Sequence, residues 1–316
     1  MGIESSRRFP DVEVSQTLDK RKFVDDIRMM HQLGIDVGGT SVKMALLSNG
    51  ATVWTGRSKN YDRPDGSRLM TALREAADGR VERIRIDACG ICVPGILNES
   101  RDTVLLSVNV PGLNNLPIAS LVREALGDSI SKIKICNDAI SCATDVVHAL
   151  QLSGRVMVLA MGTGVGCAVL DVEENLSSIK PLLVEGESPG HIGMVDVTCD
   201  DPPTIGADGG AGSLEGYCGI PALIARYGSV ERAINEMKPT DPPMKALARI
   251  IRIGHAIYRP HHVVLGGGVG VQLSKRLDEI RKLVDANLTT VARSDRTVRC
   301  AIDIFHGARG AGRLAR

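Results

Sequence analysis

The sequence predicts an α/β fold made of two similar halves that face each other across a cleft. Two segments, residues 33–47 and 155–172, each contain an apolar strand, a glycine-containing turn and a second apolar strand. Each segment begins a block in which strands alternate with amphipathic helices, as in α/β folds. With 316 residues, of which 43% are hydrophobic, the chain is long enough to bury a core in each half.

The first turn lies within LGIDVGGTSVKMALLSNG, residues 33–50, and the pattern predicts that it joins two strands. Apolar and polar residues alternate after the glycines, and Asn49-Gly50 is a strong signal for a two-residue hairpin turn. At this turn neither the dinucleotide pattern G-x-G-x-x-G nor the P-loop pattern G-x-x-x-x-G-K-[ST] is present. The turn is therefore not expected to open a helix.

The residue types of this turn suit magnesium phosphate. Gly38 and Gly39 lack side chains, so a ligand can approach the backbone N–H groups, which form a concavity suited to an anion. Asp36 precedes them and would repel phosphate unless a divalent cation lay between the two. Taken alone, the stretch is equally compatible with an ordinary glycine-containing β-turn.

Two further glycine clusters extend the pattern. The second hairpin turns at Gly162, Thr163 and Gly164, and together the two turns could hold one polyphosphate from opposite sides of a cleft. The third cluster, Gly266 to Gly268, follows an apolar strand and precedes a predicted helix near 271–285. Ligands in open α/β sheets bind at the carboxyl ends of strands, so a nucleotide could lie against these glycines.

Amphipathic helices are predicted in both halves from apolar residues spaced three or four apart. The residues that carry this spacing are Leu69, Ala72, Leu73 and Ala76 in the first half, and Leu273, Leu277, Ile280 and Val284 in the second.

A candidate general base lies in KIKICNDAISCATDVVHAL, residues 132–150, where a short strand ends at Asn137-Asp138 and a helix begins. One interpretation is that Asp138 only caps the helix, as Asp often does. The other is that Asp138 accepts the proton of an attacking hydroxyl between the two halves, which contributes roughly 10² to 10⁴ in rate.

Composition excludes several classes of protein. A formal net charge of +1 offers no electrostatic basis for binding nucleic acid or an anionic membrane. No run of 18 apolar residues is present, so we expect no membrane span. Eight scattered cysteines without a signal peptide indicate the reducing cytoplasm. Cys89 and Cys92 form a C-x-x-C pair, but it lies in a strand-like run, which argues against a redox or metal site.

The ordered motifs resemble the ROK sugar kinases, which are bacterial-type glucokinases of the actin-like, hexokinase-like ATPase superfamily. The resemblance covers about residues 32–316. It rests on motifs that follow the order of the family, namely GIDVGGTSVKMALL, GICVPGILN, SVNVPGLNNLPIASLV, CNDAISCA, LAMGTGVGCAVL, GHIGMVDV, SLEGY, VVLGGGV and GARGAGRLA. It implies a two-domain actin-like (ribonuclease H-like) fold with an interdomain cleft.

The resemblance also implies roles for individual residues. ATP and Mg²⁺ would be bound at both hairpin turns, and the third glycine cluster would lie near the nucleoside. Asp36 would lie on the metal side and hold Mg²⁺ through a water molecule. The implied cofactor-binding residues are Asp36, Gly38, Gly39, Thr40, Lys43, Gly162, Thr163, Gly164, Gly266, Gly267 and Gly268. Asp138 would be the catalytic base, and the sugar would contact Asn109, Asn137, His191 and Glu215.

Two motifs depart from the family pattern. The family has Glu-x-Gly-His, whereas ESPGH here places Ser188 at the position of the Glu, with Glu187 one residue earlier. Either residue could contact the sugar. The family also has three zinc-binding cysteines, and their positions are occupied here by Gly206, Asp208 and Ser213. Since Gly has no ligand atom in its side chain, we expect no structural zinc.

The resemblance implies a small domain over 32–138, completed by a C-terminal helix near 306–316, and a large domain over 139–305. Residues 1–31 are expected to be a tail or peripheral helix, too short for the DNA-binding domain of ROK repressors. The function predicted is ATP-dependent phosphorylation of a free hexose or N-acetylhexosamine. A silent sugar-binding sensor and a polyphosphate-dependent kinase are the alternatives, and the oligomeric state is open, with a homodimer as one option.

Overall fold

The computed structural model describes residues 30–107, 109–127, 130, 132–183, 191–206, 209–289, 291 and 295–315. Among these residues, the N-terminal half contains seven strands and three helices. The strands are β1 (His31–Val37), β2 (Val42–Ser48), β3 (Ala51–Arg57), β4 (Ala88–Val93), β5 (Ile96–Leu97), β6 (Val104–Leu106) and β7 (Ile133–Asn137). The helices are α1 (Gly66–Ala77), α2 (Ile118–Leu126) and α3 (Asp138–Leu150).

The C-terminal half contains five strands and seven helices among the described residues. The strands are β8 (Gly154–Met161), β9 (Val165–Val172), β10 (Ile179–Pro181), β11 (His262–Gly266) and β12 (Thr297–Cys300). The helices are α4 (Leu214–Cys218), α5 (Ile220–Tyr227), α6 (Val230–Glu236), α7 (Pro242–Tyr258), α8 (Gly267–Gln272), α9 (Leu277–Asp285) and α10 (His306–Leu314).

The two large sheets have the same layout. The first has the order β3-β2-β1-β4-β7 and the second the order β10-β9-β8-β11-β12. In each, three antiparallel strands are followed by two that are parallel to the central strand. The repeat that the sequence shows at two turns therefore extends across both sheets, and the predicted α/β class is confirmed.

The predicted hairpin at Asn49-Gly50 is present between β2 and β3. Asn49 has φ 49° and Gly50 has φ 85°, the two positive values that a type I′ turn requires. The predicted helix over 271–285 is interrupted. A 3₁₀ segment, Leu273–Arg276, separates α8 from α9, although Leu273, Ile280 and Val284 all remain buried.

The alternating residues of β8 separate two hydrophobic layers, as the two-residue repeat of a strand requires. Met157 and Leu159 pack into a core with helices α4 to α9, whereas Val156 and Val158 pack into a core with α3. The first sheet has its own core, which it shares with α1 and α2. The domain boundaries proposed from the sequence remain a prediction.

Helix α10 lies between the first sheet and α3, and glycines allow this close approach. A Cβ atom at Gly34 would lie 1.7 Å from the carbonyl oxygen of Ala308, and one at Gly90 would lie 1.9 Å from that of Ala311. On the other side of α10, a Cβ at Gly310 would lie 1.7 Å from the carbonyl oxygen of Ser141 in α3. No side chain larger than hydrogen fits at these contacts without movement of the backbone.

A buried charge cluster joins α3 to α10. Asp145 of α3, whose side chain is 1% exposed, accepts hydrogen bonds from Arg309 Nε at 2.6 Å and Arg313 Nε at 2.8 Å, and lies 2.6 Å from His306 Nδ1. Arg309 also pairs with Asp303 at 2.9 Å.

Across the described ranges, no helix has the length and apolar character needed to span a bilayer.

Candidate active site

The turn between β1 and β2 carries a carboxylate paired with an amine. Asp36 lies near the end of β1, and its Oδ2 atom is 3.0 Å from Nζ of Lys43 on β2, with both side chains 16% exposed. The Gly38 N–H donates to the carbonyl oxygen of Ser41 at 3.1 Å, which closes the turn. A Cβ at Gly38 would lie 3.5 Å from Lys43 Nζ, so the glycine, the amine and the carboxylate are close together.

The turn between β8 and β9 contacts the first turn directly. Its Gly162 N–H donates to the carbonyl oxygen of Gly164 at 2.8 Å. A Cβ at Gly39 would lie 2.4 Å from Oγ1 of Thr163, which is too close for any other side chain. The structure therefore brings together the two glycine turns that the sequence analysis paired, with only a hydrogen atom of Gly39 between them.

Asp138 is the first residue of α3, and the interpretation of it as the helix cap is wrong. The cap is Asn137, whose Oδ1 accepts the N–H of Ile140 at 3.0 Å. Asp138 Oδ1 instead accepts the N–H of Ala139 at 2.7 Å. Adjacent Asn and Asp are both good caps, so the sequence alone does not distinguish them.

The surroundings of Asp138 raise its pKa to about 6. Burial is the largest cause, because it disfavours the charged form, and the negative charge of Asp36 adds to it. The hydrogen bond from Ala139 and the nearby His191 both act in the opposite direction. Asp36 and His191 thus each lie within electrostatic range of Asp138. A carboxylate with this pKa is mostly ionised yet still basic near neutral pH.

Glu215 connects the second turn with the segment that follows His191. Its Oε2 atom accepts the N–H of Val165 at 3.1 Å. Cβ atoms placed at Gly164 and Gly193 would lie 2.5 and 3.2 Å from the same oxygen. His191 is exposed and immediately precedes the 3₁₀ segment Ile192–Met194. The structure therefore places Glu215 against the second turn and close to the His191 segment.

The third glycine cluster lies beside the end of β8. Gly267 has φ 74°, and a Cβ there would lie 2.3 Å from the carbonyl oxygen of Met161, the residue before the second turn. A Cβ at Gly266 would lie 3.1 Å from Cys142 Sγ, whereas Gly268 faces open space. All three glycine clusters therefore meet around the second turn.

A cavity of about 450 Å³ adjoins Thr163 and Glu215. Part of its wall is formed by small residues of α5, namely Pro221, Ala222 and Ala225, and Arg226 of the same helix supplies a positive charge. This cavity could not be predicted from the sequence, because its wall combines α5 with the separate segment 204–206.

The other residues predicted to contact the sugar show fewer contacts with the glycine turns and Asp138. Asn109 is half-buried in the loop after β6 and makes no hydrogen bond to another described residue. The side chain of Asn137 caps α3, which leaves its amide nitrogen for a ligand. Glu187 and Ser188 lie outside the described residues.

Sequence reasoning missed two tyrosines that support the site. Tyr61 Oη donates to the carbonyl oxygen of Gly38 at 2.6 Å, and Tyr217 Oη donates to Asp200 Oδ1. Tyr61 lies in no motif, and although Tyr217 ends the motif SLEGY, its hydroxyl reaches a partner 17 residues away that no local pattern indicates. The C-x-x-C pair, in contrast, is buried in β4, where burial raises the pKa of both thiols and disfavours the reactive thiolate.

Side-chain hydrogen bonds join the region that replaces the zinc motif to helices α4 and α5. Asp200 accepts hydrogen bonds from Tyr217, from Thr204 Oγ1 at 2.8 Å and from Arg226 at 3.1 Å. Ser213 Oγ accepts the Gly216 N–H at 3.1 Å and so caps α4, the helix of Glu215. Asp208 lies outside the described residues, and no group of three or more potential metal ligands occurs among those described.

Two matching five-stranded sheets with facing glycine turns define the actin-like class of ATPase fold. A family model described as the ROK family matches residues 32–316, and the chain belongs to this family. The resemblance seen in the sequence is therefore confirmed.

Relatives and solved structures agree with this assignment. The chain is 28% identical over 264 residues to N-acetylmannosamine kinase of Salmonella typhi, covering 77% of this chain and 84% of the relative. It is 26% identical over 313 residues to N-acetyl-D-glucosamine kinase of Yersinia pseudotuberculosis, covering 89% and 97%.

Among solved structures, a ROK family glucokinase from Streptomyces griseus, in complex with glucose and AMPPNP, has a TM-score of 0.69 at 20% identity, covering 90% of this chain and 99% of that one. ROK hexokinase from Thermus thermophilus has a TM-score of 0.64 at 23% identity, covering 90% and 98%. At these identities the likeness establishes the shared fold.

Proposed function

We propose that this protein is a cytoplasmic ATP-dependent kinase that phosphorylates a hydroxyl of a free hexose or N-acetylhexosamine. The main support for this proposal is the contact between Gly39 and Thr163, which brings the two glycine turns together beside the buried carboxylate of Asp138. The names of the relatives, which phosphorylate N-acetylmannosamine and N-acetylglucosamine, support an amino-sugar substrate class.

In this proposal Asp138 accepts the proton of the attacking sugar hydroxyl. Its pKa of about 6 leaves it ionised at neutral pH, and its Oδ1 remains fixed by the N–H of Ala139. His191 and Glu215 orient the sugar hydroxyls, together with Asn109, Asn137 and either Glu187 or Ser188. Most of the acceleration comes from positioning and charge neutralisation, since phosphoryl transfer needs little covalent assistance.

The first two turns bind the phosphates of ATP, and Asp36 lies on the magnesium side. The fit rests on the donors available: among the described residues, the N–H groups of Gly39, Thr40, Thr163 and Gly164 have no hydrogen-bond acceptor. Lys43 supplies a positive charge next to Asp36. Magnesium, when bound, neutralises phosphate charge, and the carboxylate of Asp36 is the hard oxygen ligand that this cation prefers.

A coupled assay across a panel of hexoses and N-acetylhexosamines tests the proposal. We expect ATP-dependent formation of ADP with at least one sugar of the panel. Sugar binding without turnover would instead support the sensor, and turnover with polyphosphate but not ATP would support the alternative donor. Absence of both binding and turnover for every sugar would contradict the proposal.

Replacing Asp36 with Ala should weaken the magnesium dependence of turnover while sugar affinity is retained. The carboxylate faces Lys43 at the phosphate turn rather than the His191 segment, so its loss removes a metal partner. Titration of turnover with Mg²⁺ and calorimetric titration with sugar measure the two effects. A large loss of sugar affinity with normal nucleotide binding would assign Asp36 to the sugar instead.

We also propose that the chain functions without structural zinc. Asp200 accepts hydrogen bonds from Tyr217, Thr204 and Arg226, and these bonds hold the region that replaces the zinc motif beside α4. Elemental analysis of protein purified without chelator or added metal should show far less than one zinc per chain. Near-stoichiometric zinc that is released only on unfolding would refute this prediction.

A further inference from the structure

The segment that follows β3 braces the first glycine turn through hydrogen bonds. Ser58 N–H donates to the carbonyl oxygen of Val42 at 2.9 Å, and Val42 N–H donates to Ser58 Oγ at 3.0 Å. Tyr61 N–H donates to the carbonyl oxygen of Thr40 at 2.9 Å. These bonds fix the strand side of the turn, but they leave the peptide between Gly38 and Gly39 to be held by something else.

That peptide is held by the side chain of Tyr61. The hydroxyl donates to the carbonyl oxygen of Gly38 at 2.6 Å, and the residue is only 9% exposed. Burial, together with the negative charge of Asp36, raises the pKa of Tyr61 well above its ordinary value. The hydroxyl therefore stays protonated over the working pH range and remains a donor.

Fixing the carbonyl of Gly38 also fixes the N–H of Gly39. The two groups belong to one planar trans peptide, in which the carbonyl and the N–H point in opposite directions. The N–H of Gly39 consequently points away from Tyr61, and it has no acceptor in the described part of the chain. Two consecutive glycines have wide conformational freedom, so without this bond the peptide could rotate at little cost.

The ring of Tyr61 is itself anchored by α1. The guanidinium carbon of Arg68 lies 5.7 Å from the ring centroid, and Arg68 Nη1 pairs with Oε1 of Glu75 at 3.2 Å. The ring also belongs to the hydrophobic core of the first sheet. Tyr61 thus links a helix and a core to the peptide between Gly38 and Gly39, two residues that have no side chains of their own to hold it.

We propose that the hydroxyl of Tyr61 is a positioning group that aims the N–H of Gly39 at the phosphates of the nucleotide. This inference rests on the proposed function of the turn as the phosphate site. Tyr61 itself does not touch the nucleotide, and it acts only through the orientation of the Gly38–Gly39 peptide.

The test is Tyr61→Phe, which removes the hydroxyl but keeps the buried ring. Loss of one well-directed hydrogen bond to a charged phosphate should weaken MgADP binding roughly tenfold, and KM for ATP should rise accordingly. We expect kcat to fall by about tenfold as well, because donors aimed at the transferred group act in the transition state. Sugar affinity, measured by calorimetry, should be unchanged.

Tyr227→Phe is the matched control, since Tyr227 Oη donates to Asp241 Oδ2 at 2.9 Å away from both turns. It should leave MgADP binding and KM unchanged. Equal losses of MgADP and sugar affinity in Tyr61→Phe, with a lower melting temperature, would reduce Tyr61 to a structural residue, and unchanged nucleotide binding would refute the proposal. If the native protein binds no MgADP, the proposed phosphate site itself is wrong.

Discussion

Asp138→Asn should lower kcat by at least about 100-fold, the lower end of the loss expected when a general base is removed. The amide oxygen of Asn can still accept the N–H of Ala139, which Asp138 accepts at 2.7 Å, so the start of α3 should keep its geometry. The amide nevertheless cannot accept the proton of the sugar hydroxyl. Sugar affinity should therefore persist while turnover is lost, and steady-state kinetics with calorimetry measure both.

The pH profile adds a second criterion for Asp138. Because its pKa is raised to about 6, kcat/KM of the native protein should fall as the pH decreases through 6, where the base becomes protonated. A buried carboxylate with a raised pKa costs stability when it ionises, so Asp138→Asn should melt no lower than the native protein near neutral pH. Turnover close to the native rate in the variant would exclude Asp138 as the base.

The glycine turns show what the sequence can predict about this site. Asp36, Gly38, Gly39 and the second turn follow from residue type and spacing, because a turn between apolar strands is a local feature. The contact of Gly39 with Thr163 depends on how the two halves meet, which no local pattern specifies. Sequence order suggested that the turns cooperate, and only the structure gives their contact.

The residues that sequence reasoning missed act over long separations in the chain. Tyr61 reaches Gly38, and Asp200 reaches Tyr217 and Arg226. Each is an ordinary residue type outside any motif, and its role comes from a partner that the fold brings near. The cap of α3 illustrates a different limit, since Asn137 and Asp138 are neighbours with nearly equal capping preference.

The interruption between α8 and α9 has a comparable origin. The apolar spacing of Leu273, Leu277, Ile280 and Val284 is helical throughout, and the 3₁₀ segment Leu273–Arg276 still buries the first of them. A short tightening of the helix changes the backbone without changing which residues face the core. Periodicity therefore predicts the buried face correctly but not the break.

Asp145→Asn should cause the largest loss of stability among the variants considered. Asp145 is 1% exposed and interacts with Arg309, Arg313 and His306, all on α10. Burial would raise its pKa, but the hydrogen bonds from His306 and Arg313 and the charge and hydrogen bond of Arg309 outweigh burial and lower it to about 2. Removing one partner from a buried ion cluster costs about 3–5 kcal/mol, which corresponds to a melting temperature on the order of 10 °C lower.

A matched control variant and the pH dependence of stability distinguish the loss of this buried cluster from the loss of any single negative charge. Asp171→Asn removes a carboxylate that pairs with Arg155 at 2.7 Å but is 50% exposed, so its cost should stay below about 1 kcal/mol. A lowered folded-state pKa means that the stability from Asp145 is fully present above about pH 4, the unfolded value, and is lost as the pH falls toward 2. The difference in melting temperature between the native protein and Asp145→Asn should therefore narrow across that window. If Asp145→Asn melts as high as Asp171→Asn at neutral pH, the link between α3 and α10 does not depend on this carboxylate.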